Sequence, residues 1–337
     1  MVCATGKCES RVCYISCLGQ QTFQMVTRDG PAWLECRALA RLPWVLHAFS
    51  TRRGGASRQR VDLPSPGLNL GFTEWDRRRR VERNRRQFFS QLGGRDFALA
   101  SLRQIHSSLV YQVARGAGET LEYRPCGISP PKISAETLPA GDALLTDQAG
   151  ILLSVRGADC LLVVLADSGH RAVAAVHAGW RGALDRVVEK AVGEMRRVFG
   201  SRPELLQAAL GPSIRVCCYE VGDEVVEAFH GCFQRPERFF QRVPQAPGTS
   251  PKDRAPAFLE ARPPGQALQS GTATHLDLVA VARAQLVEAG LSPRHISVAE
   301  FCTACRTDLF YSHRREGSRT GRIMAVIGIR PTQESRL

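Results

Sequence analysis

The chain has 337 residues, 44% of them hydrophobic and 23% charged, a balance that points to a globular protein with a sizeable core rather than a disordered one. No apolar run approaches the roughly 20 residues that span a bilayer. The first twenty residues also lack the continuous apolar stretch of a secretory signal, so no membrane partner is expected and the protein is expected in the cytoplasm. The formal net charge of +13 implies a general attraction for anions but selects no polymer.

Residues 1–30 read as an N-terminal extension expected to be poorly ordered. Its Cys3, Cys8, Cys13 and Cys17 follow a C-x4-C-x4-C-x3-C series that matches no familiar zinc spacing. Most of the twelve cysteines are expected to be reduced, because the chain is long and carries no signal. A single domain is expected over 31–332. Trp44 to Ser50 reads as a strand running into the turn-rich Thr51-Arg52-Arg53-Gly54-Gly55. Asp76 to Leu92 reads as a helix, with Asp76 as N-cap and Gly93-Gly94 as its stop. Arginines 77–80, 83, 85 and 86 lie on it. No aromatic platform or nucleic-acid module accompanies them in the sequence, so they read as a solvated face and no specific nucleic acid is expected.

Leu99 to Val113 holds strand-like material around His106, and 114–140 reads as a flexible insertion. The apolar runs 143–145, 151–155, 161–165 and 172–176 lack polar alternation and suggest strands buried on both faces. Gly182 to Phe199 is the clearest helix. Its Leu184, Val187, Val188, Ala191, Val192, Met195, Val198 and Phe199 fall on one face at spacings of three and four. Residues 242–271 read as a second flexible insertion, 276–289 as a helix and 323–329 as a last strand. Adjacent strands alternating with helices predict an α/β (α+β) domain with mixed β-sheets flanked by helices.

Three segments place a metal-capable residue at the edge of a buried element: Gln104-Ile105-His106, Ala158-Asp159-Cys160, and Val176-His177-Ala178-Gly179-Trp180-Arg181-Gly182. Two imidazoles and a thiolate make a three-ligand zinc set with a fourth position left for water or substrate. The spacings are long, 54 residues from His106 to Cys160 and 17 from Cys160 to His177. A buried His or Cys is more often plain core, so spacing leaves both readings open. Asp159 lies between two dry runs, where a carboxylate needs a partner. Cys302 and Cys305 form a CxxC without a thioredoxin-like context and read as non-redox.

The same segments resemble the YfiH-like family, also called multicopper polyphenol oxidase or laccase-domain proteins and purine nucleoside phosphorylases. The resemblance rests on Ala158-Asp159-Cys160 with 161–167 and on Ala174-Ala175-Val176-His177-Ala178-Gly179-Trp180-Arg181-Gly182. It extends to Ser50-Thr51-Arg52, Leu68-Asn69-Leu70-Gly71, Asn84-Arg85, Gln104-x-His106, Asp142-Ala143-Leu144, Gly211-Pro212-Ser213-Ile214 and Tyr219-Glu220-Val221-Gly222. Cys302-Thr303, 308–315 and Thr320-Gly321-Arg322 complete it, for a span of about 42 to 330. Ala158, His313 and Glu316 depart from the family's commoner residues.

This resemblance implies a YfiH-like fold and a zinc held by His106, Cys160 and His177. It implies phosphorolysis of adenosine, inosine, guanosine and methylthioadenosine, with adenosine deamination besides. Purine nucleosides and phosphate are thus the expected partners. Arginine forks bind two phosphate oxygens at once, and Arg52, Arg181 and Arg314 lie in matching motifs. Arg52 and Arg181 are the expected catalytic arginines beside Cys160, His177 and Asp159. Asn69, Tyr219 and Arg314 are expected at the substrate, although Asn69 and Tyr219 could equally hold turns. Asp159 is expected behind a metal ligand or as a backbone brace.

Rival readings use the same residues. A metal-independent cysteine hydrolase, or an enzyme editing cell-wall precursors, would take Cys160 as nucleophile and His177 as base. A multicopper oxidase needs more histidines than the eight present, and a blue-copper centre also wants a weak axial ligand. A non-enzymatic basic protein would leave the motif residues without purpose. The oligomeric state is left open.

Overall fold

The computed structural model describes residues 22–27, 30–58, 66–127, 138–244 and 271–331. In chain order the first elements are strands β1 (Phe23–Thr27) and β2 (Ala32–Cys36), helix α1 (Arg37–Ala40), strands β3 (Val45–Ser50) and β4 (Arg53–Ser57), and helix α2 (Arg78–Leu92). Seven strands follow: β5 (Ala98–Ala100), β6 (Val110–Arg115), β7 (Leu121–Cys126), β8 (Ala143–Thr146), β9 (Ile151–Gly157), β10 (Leu161–Asp167) and β11 (Ala172–Ala178). Next come helices α3 (Trp180–Leu184) and α4 (Val187–Phe199), strand β12 (Leu206–Leu210) and helix α5 (Asp223–Cys232). Strands β13 (Phe240–Pro244) and β14 (Thr272–Leu276), helix α6 (Leu278–Glu288), strand β15 (Ile296–Val298), helix α7 (His313–Glu316) and strand β16 (Ile323–Ile329) complete the chain.

Two mixed sheets stack face to face. One runs β1-β2-β3-β16-β9-β5, the other β15-β12-β10-β11-β8-β6-β7. The uninterrupted apolar runs are explained by this stacking, because the central strands are covered on both sides. On β10, Leu162, Val164 and Ala166 face the layer between the sheets with Phe49, Leu153 and Ile327. Leu161, Val163 and Leu165 face the opposite way, into a layer shared with α4, α5 and α6. On β16, Met324 and Val326 lie instead with Trp33 and Phe88 under α2. The order is helix, sheet, sheet, helices, and this is an α+β fold with mixed sheets.

Several expectations need correction. Part of the extension is ordered, because in residues 22–27 Phe23 is buried edge-on against Phe49 at 5.6 Å between ring centroids and β1 pairs with β2; residues 1–21, including Cys3, Cys8, Cys13 and Cys17, and 28–29 lie outside the described residues. The first insertion contains β7, which forms a hairpin with β6, while 128–137 lie outside the described residues. Of the second, residues 242–244 complete β13, which pairs with β14 just beyond the insertion; 245–270 lie outside the described residues. Asp76 does not cap α2, since its carboxylate accepts from Ser57 Oγ and Asn69 Nδ2. Gly93 does stop the helix, in the left-handed region at φ 79°. Phe72, 45% exposed, supplies an aromatic ring to the arginine cluster, with Arg78 and Arg85 over it at 4.9 and 4.3 Å. The helix expected from Gly182 breaks at Arg186 (φ 59°), whose guanidinium bridges Glu189 and Glu288.

One feature of the topology places the motif residues. The chain crosses from the first sheet to the second twice at the same end of the stack, between β5 and β6 and between β9 and β10. His106 lies on the first crossing and Cys160 on the second. Both crossings carry a non-glycine residue at positive φ, His106 at 60° and Asp159 at 87°, the backbone strain that recurs at functional sites.

Candidate metal centre

His177 is the penultimate residue of β11 and shares the parity of Val173 and Ala175, which face the space between the sheets. The β10–β11 ladder sets Leu161 opposite Ala178 and Leu162 opposite His177, so Cys160, just before β10, comes up against Gly179. The crossing loop brings His106 onto the same spot. Cys160 Sγ lies 3.8 Å from His106 Nε2, the two imidazoles stand edge-on at 5.0 Å, and the three donor atoms lie within 4.8 Å of one another. His177 is buried, Cys160 half-buried and His106 exposed, which leaves the donor set open on one side.

Asp142 holds this arrangement. Its fully buried carboxylate accepts from the backbone N–H of Ile105, His106 and Ser107 at 3.3, 3.1 and 2.6 Å, and from Ser107 Oγ at 2.7 Å. It also takes His177 Nδ1–H at 2.8 Å, which fixes the tautomer and turns Nε2 toward the other donors. Burial would push the Asp142 carboxyl up, but the His177 and Ser107 hydrogen bonds outweigh it and hold it below the ordinary carboxylate range. Gln104 anchors the loop further, its amide bonding both N–H and C=O of Arg156 on β9.

Burial raises the Cys160 thiol, but His177 and His106 outweigh it and bring it down to about 6. For His177 burial lowers the pKa, and the Cys160 and Asp142 charges overcome this to lift it to about 9. The Cys160–His177 pair thus carries an ionised thiolate at neutral pH, the form that binds metal. Glycine at 179 is a matter of space: its backbone is ordinary extended (φ −73°, ψ 175°), but a Cβ there would stand 2.7 Å from His106 Cδ2 and 3.2 Å from Cys160 Sγ.

Of the other expected residues, Tyr219 lies half-buried nearby. Burial, with the Cys160 charge next, raises its phenol, against the opposing charges of Arg314 and Arg181. Arg181 is exposed and stacks on Trp180 at 4.2 Å, with no ion-pair partner among the described residues. Arg314 is exposed and lies over the Tyr219 ring at 5.5 Å, donating to Glu220 C=O. Asp159 braces backbone: its carboxylate accepts from Thr303 Oγ1 at 2.6 Å and Arg314 N–H at 2.7 Å.

Two expectations are corrected. Arg52 presents no open fork to an anion. It is 2% exposed, pairs with Glu316 at 2.6 Å, donates to Thr307 and Phe310 C=O, and lies over the Tyr311 ring. Asn69 is fully buried, its amide donating to Asp76 and its oxygen accepting from Gly71 and Arg322 N–H, so it holds a turn. Asp142 and Gly179 carry no individual signal in the sequence, and neither does Arg322, which lies close enough for its charge to interact with Cys160 and Asp159.

The model of the multi-copper polyphenol oxidoreductase laccase family matches residues 46–330. The chain belongs to this family. Among similar proteins, a purine nucleoside phosphorylase of Deinococcus radiodurans is 33% identical over 287 residues, covering 85% of this chain and 89% of its own length. An adenosine deaminase, RL5, from an unknown prokaryotic organism is 34% identical over 282 residues, covering 84% of this chain and 93% of its own. The crystal structure of YlmD from Geobacillus stearothermophilus superposes with a TM-score of 0.69 at 30% identity, covering 93% of this chain and all of that one. The matched span takes in the whole second sheet, the first sheet from β3 onward but not β1 or β2, and all three donors.

Proposed function

We propose that the protein is a zinc-dependent purine nucleoside phosphorylase, taking adenosine, inosine, guanosine and methylthioadenosine, with adenosine deaminase activity. In this reading residues 31–332, together with β1, form one catalytic domain. The observation that carries it is the donor set itself: two imidazoles and a thiolate converging within 4.8 Å and open on one side. That set fits zinc, whose catalytic sites use three protein ligands and keep a fourth position. Similar proteins are named for these two activities. None of the eight described cysteines is paired in a disulfide, in keeping with a reducing, cytoplasmic location.

His106, Cys160 and His177 would hold the zinc, which when bound would supply a Lewis acid on the open side of the donor set. The protein's own groups do the rest. Asp142 keeps Nδ1 of His177 protonated and the His106 loop in place. Exposed Arg314, over the Tyr219 ring, and exposed Arg181, whose charge also acts on that phenol, offer charged forks to phosphate. Phosphorolysis then forms the bond from phosphate oxygen to C1′ and breaks the bond from C1′ to the purine nitrogen, which leaves with its electron pair. Deamination adds water at C6 and releases ammonia. Tyr219, held protonated by burial, is a hydrogen-bond donor to the nucleoside.

Metal content of the purified protein and of Cys160→Ala, with product analysis on adenosine plus phosphate, tests this. Zinc at the site and adenine or inosine as product, both lost in the variant, are expected; undiminished turnover in Cys160→Ala overturns it. The ionised Cys160 beside His177 also suits a cysteine hydrolase, which predicts activity resistant to chelators and inactivation by alkylation. Copper fits less well, because only His106 and His177 converge among the described histidines.

A further inference from the structure

Outside this centre, four cysteines meet that no part of the proposed chemistry uses. Cys217 and Cys218 lie in the turn after Ser213-Ile214, and Cys302 and Cys305 form a C-x2-C on the segment after β15. Their four sulfurs all lie within 4.8 Å of one another, with Cys218 to Cys305 at 3.4 Å and Cys217 to Cys305 at 3.6 Å. Those separations are far from a disulfide, which needs about 2.05 Å. They approach the edge of a sulfur tetrahedron around zinc, about 3.8 Å for Zn–S bonds of about 2.3 Å.

The geometry points to a second zinc site, a closed tetrathiolate centre formed by Cys217, Cys218, Cys302 and Cys305. Binding here turns four thiols into thiolates and releases four protons to solvent, leaving a site of net charge −2. The surroundings suit that charge. Arg215 N–H points at Cys302 Sγ at 3.4 Å, and Arg315, which donates to Ala304 C=O, reaches Cys218 Sγ at 3.8 Å. Backbone bonds hold the two turns in shape and to each other: Arg306 N–H bonds Cys302 C=O, Cys218 N–H bonds Arg215 C=O, and Thr303 N–H bonds Ser213 C=O across them. His275 bonds Val216 C=O at 2.6 Å. With four protein ligands no position stays open, so the role is structural. What it would stabilise is specific, since Tyr219 follows Cys218 and Thr303, between Cys302 and Cys305, holds Asp159.

The centre does not depend on the function proposed above, and one set of measurements separates the two. Zinc is counted in the wild-type chain purified without chelator, in Cys160→Ala and in Cys305→Ser, and cobalt-substituted Cys160→Ala is examined by absorption. About two zinc ions per wild-type chain and about one in Cys160→Ala are expected, with cobalt giving the thiolate charge-transfer bands of a tetrahedral sulfur site. Cys305→Ser should lose one ion. Should the first site be empty, wild type and Cys160→Ala both hold one ion and only Cys305→Ser loses it. A Cys160→Ala protein with no zinc and no thiolate cobalt bands overturns the proposal. So does a disulfide between Cys305 and Cys217 or Cys218 in peptides of the freshly purified wild type, a readout that requires no variant to fold.

Discussion

Replacing Gly179 with alanine isolates the geometry of the His/Cys/His centre from the fold around it. The backbone at 179 lies in ordinary extended territory, so alanine adds no backbone strain there. As the N-cap of α3 the change costs about 1 kcal/mol. The added Cβ, however, would meet His106 Cδ2 at 2.7 Å, its Nε2 at 3.5 Å and Cys160 Sγ at 3.2 Å. Restoring ordinary contact, near 3.4 Å, moves the ring by about 0.7 Å, several times the roughly 0.2 Å that a metal–ligand distance tolerates. The loop has little room to follow, because Asp142 grips the N–H groups of residues 105–107. Zinc affinity at this centre should therefore fall by more than the roughly 10–100-fold typical of losing an outer hydrogen bond, with the melting temperature little changed. Competition with a colorimetric chelator measures the affinity, and a thermal melt checks the fold. Wild-type affinity in a normally folded Gly179→Ala protein would refute the assigned geometry.

Asp142→Asn should weaken zinc about 10–100-fold through the loss of His177 orientation, measured by the same competition; an unchanged constant would count against the orienting role. Arg52→Ala should cost about 3–5 kcal/mol of stability, the range for breaking a buried ion pair, in a urea melt; undiminished stability with a raised KM for phosphate would instead return Arg52 to the substrate. His47, buried with its Nε2 accepting from Cys36 N–H, is lowered by burial from 6.5 to about 4. Since the unfolded chain takes up this proton first, its contribution is present above about 6.5 and is lost as pH falls toward 4, up to about 3 kcal/mol. Urea melts at pH 7 and pH 4.5 should show a drop that is smaller in His47→Gln; an equal drop in both proteins would rule His47 out as the source. Arg181→Ala should raise KM for phosphate more than for nucleoside in steady-state assays, and the reverse pattern would remove Arg181 from the anion site.

The central strands were legible because sheets covered on both faces demand uninterrupted apolar runs, and β8 to β11 and β16 supply them. Cys160 and His177 stand out as polar residues at the ends of such runs, but His106 lies on a crossing loop, and only the resemblance to the family joins the three as one donor set. Their supports were not legible. Asp142 meets His177 only because β8 pairs with β11, and nothing in the sequence around Asp142 reports that register. Arg52 and Asn69 lie in segments matching the family, but a motif does not show whether a side chain faces a ligand or closes a turn. Glu316 and Asp76 decide this for them, across 264 and 7 residues. The C-x2-C at Cys302 lacked visible partners because Cys217 and Cys218 reach it only through the parallel pairing of β12 with β15.

The double crossing between sheets also ties the assembly of the three-donor set to the joining of the sheets. Cys160 and His177 flank one hairpin, β10–β11, and can meet as soon as it closes. His106 arrives only when β5 has docked on β9 in one sheet and β6 on β8 in the other, which fastens its loop at both ends. A partly assembled chain therefore offers two donors and a weak hold, and the tight three-donor grip exists only when the two sheets are joined. A metal held by all three donors, as proposed, would therefore report on a joint that no single strand or helix could certify.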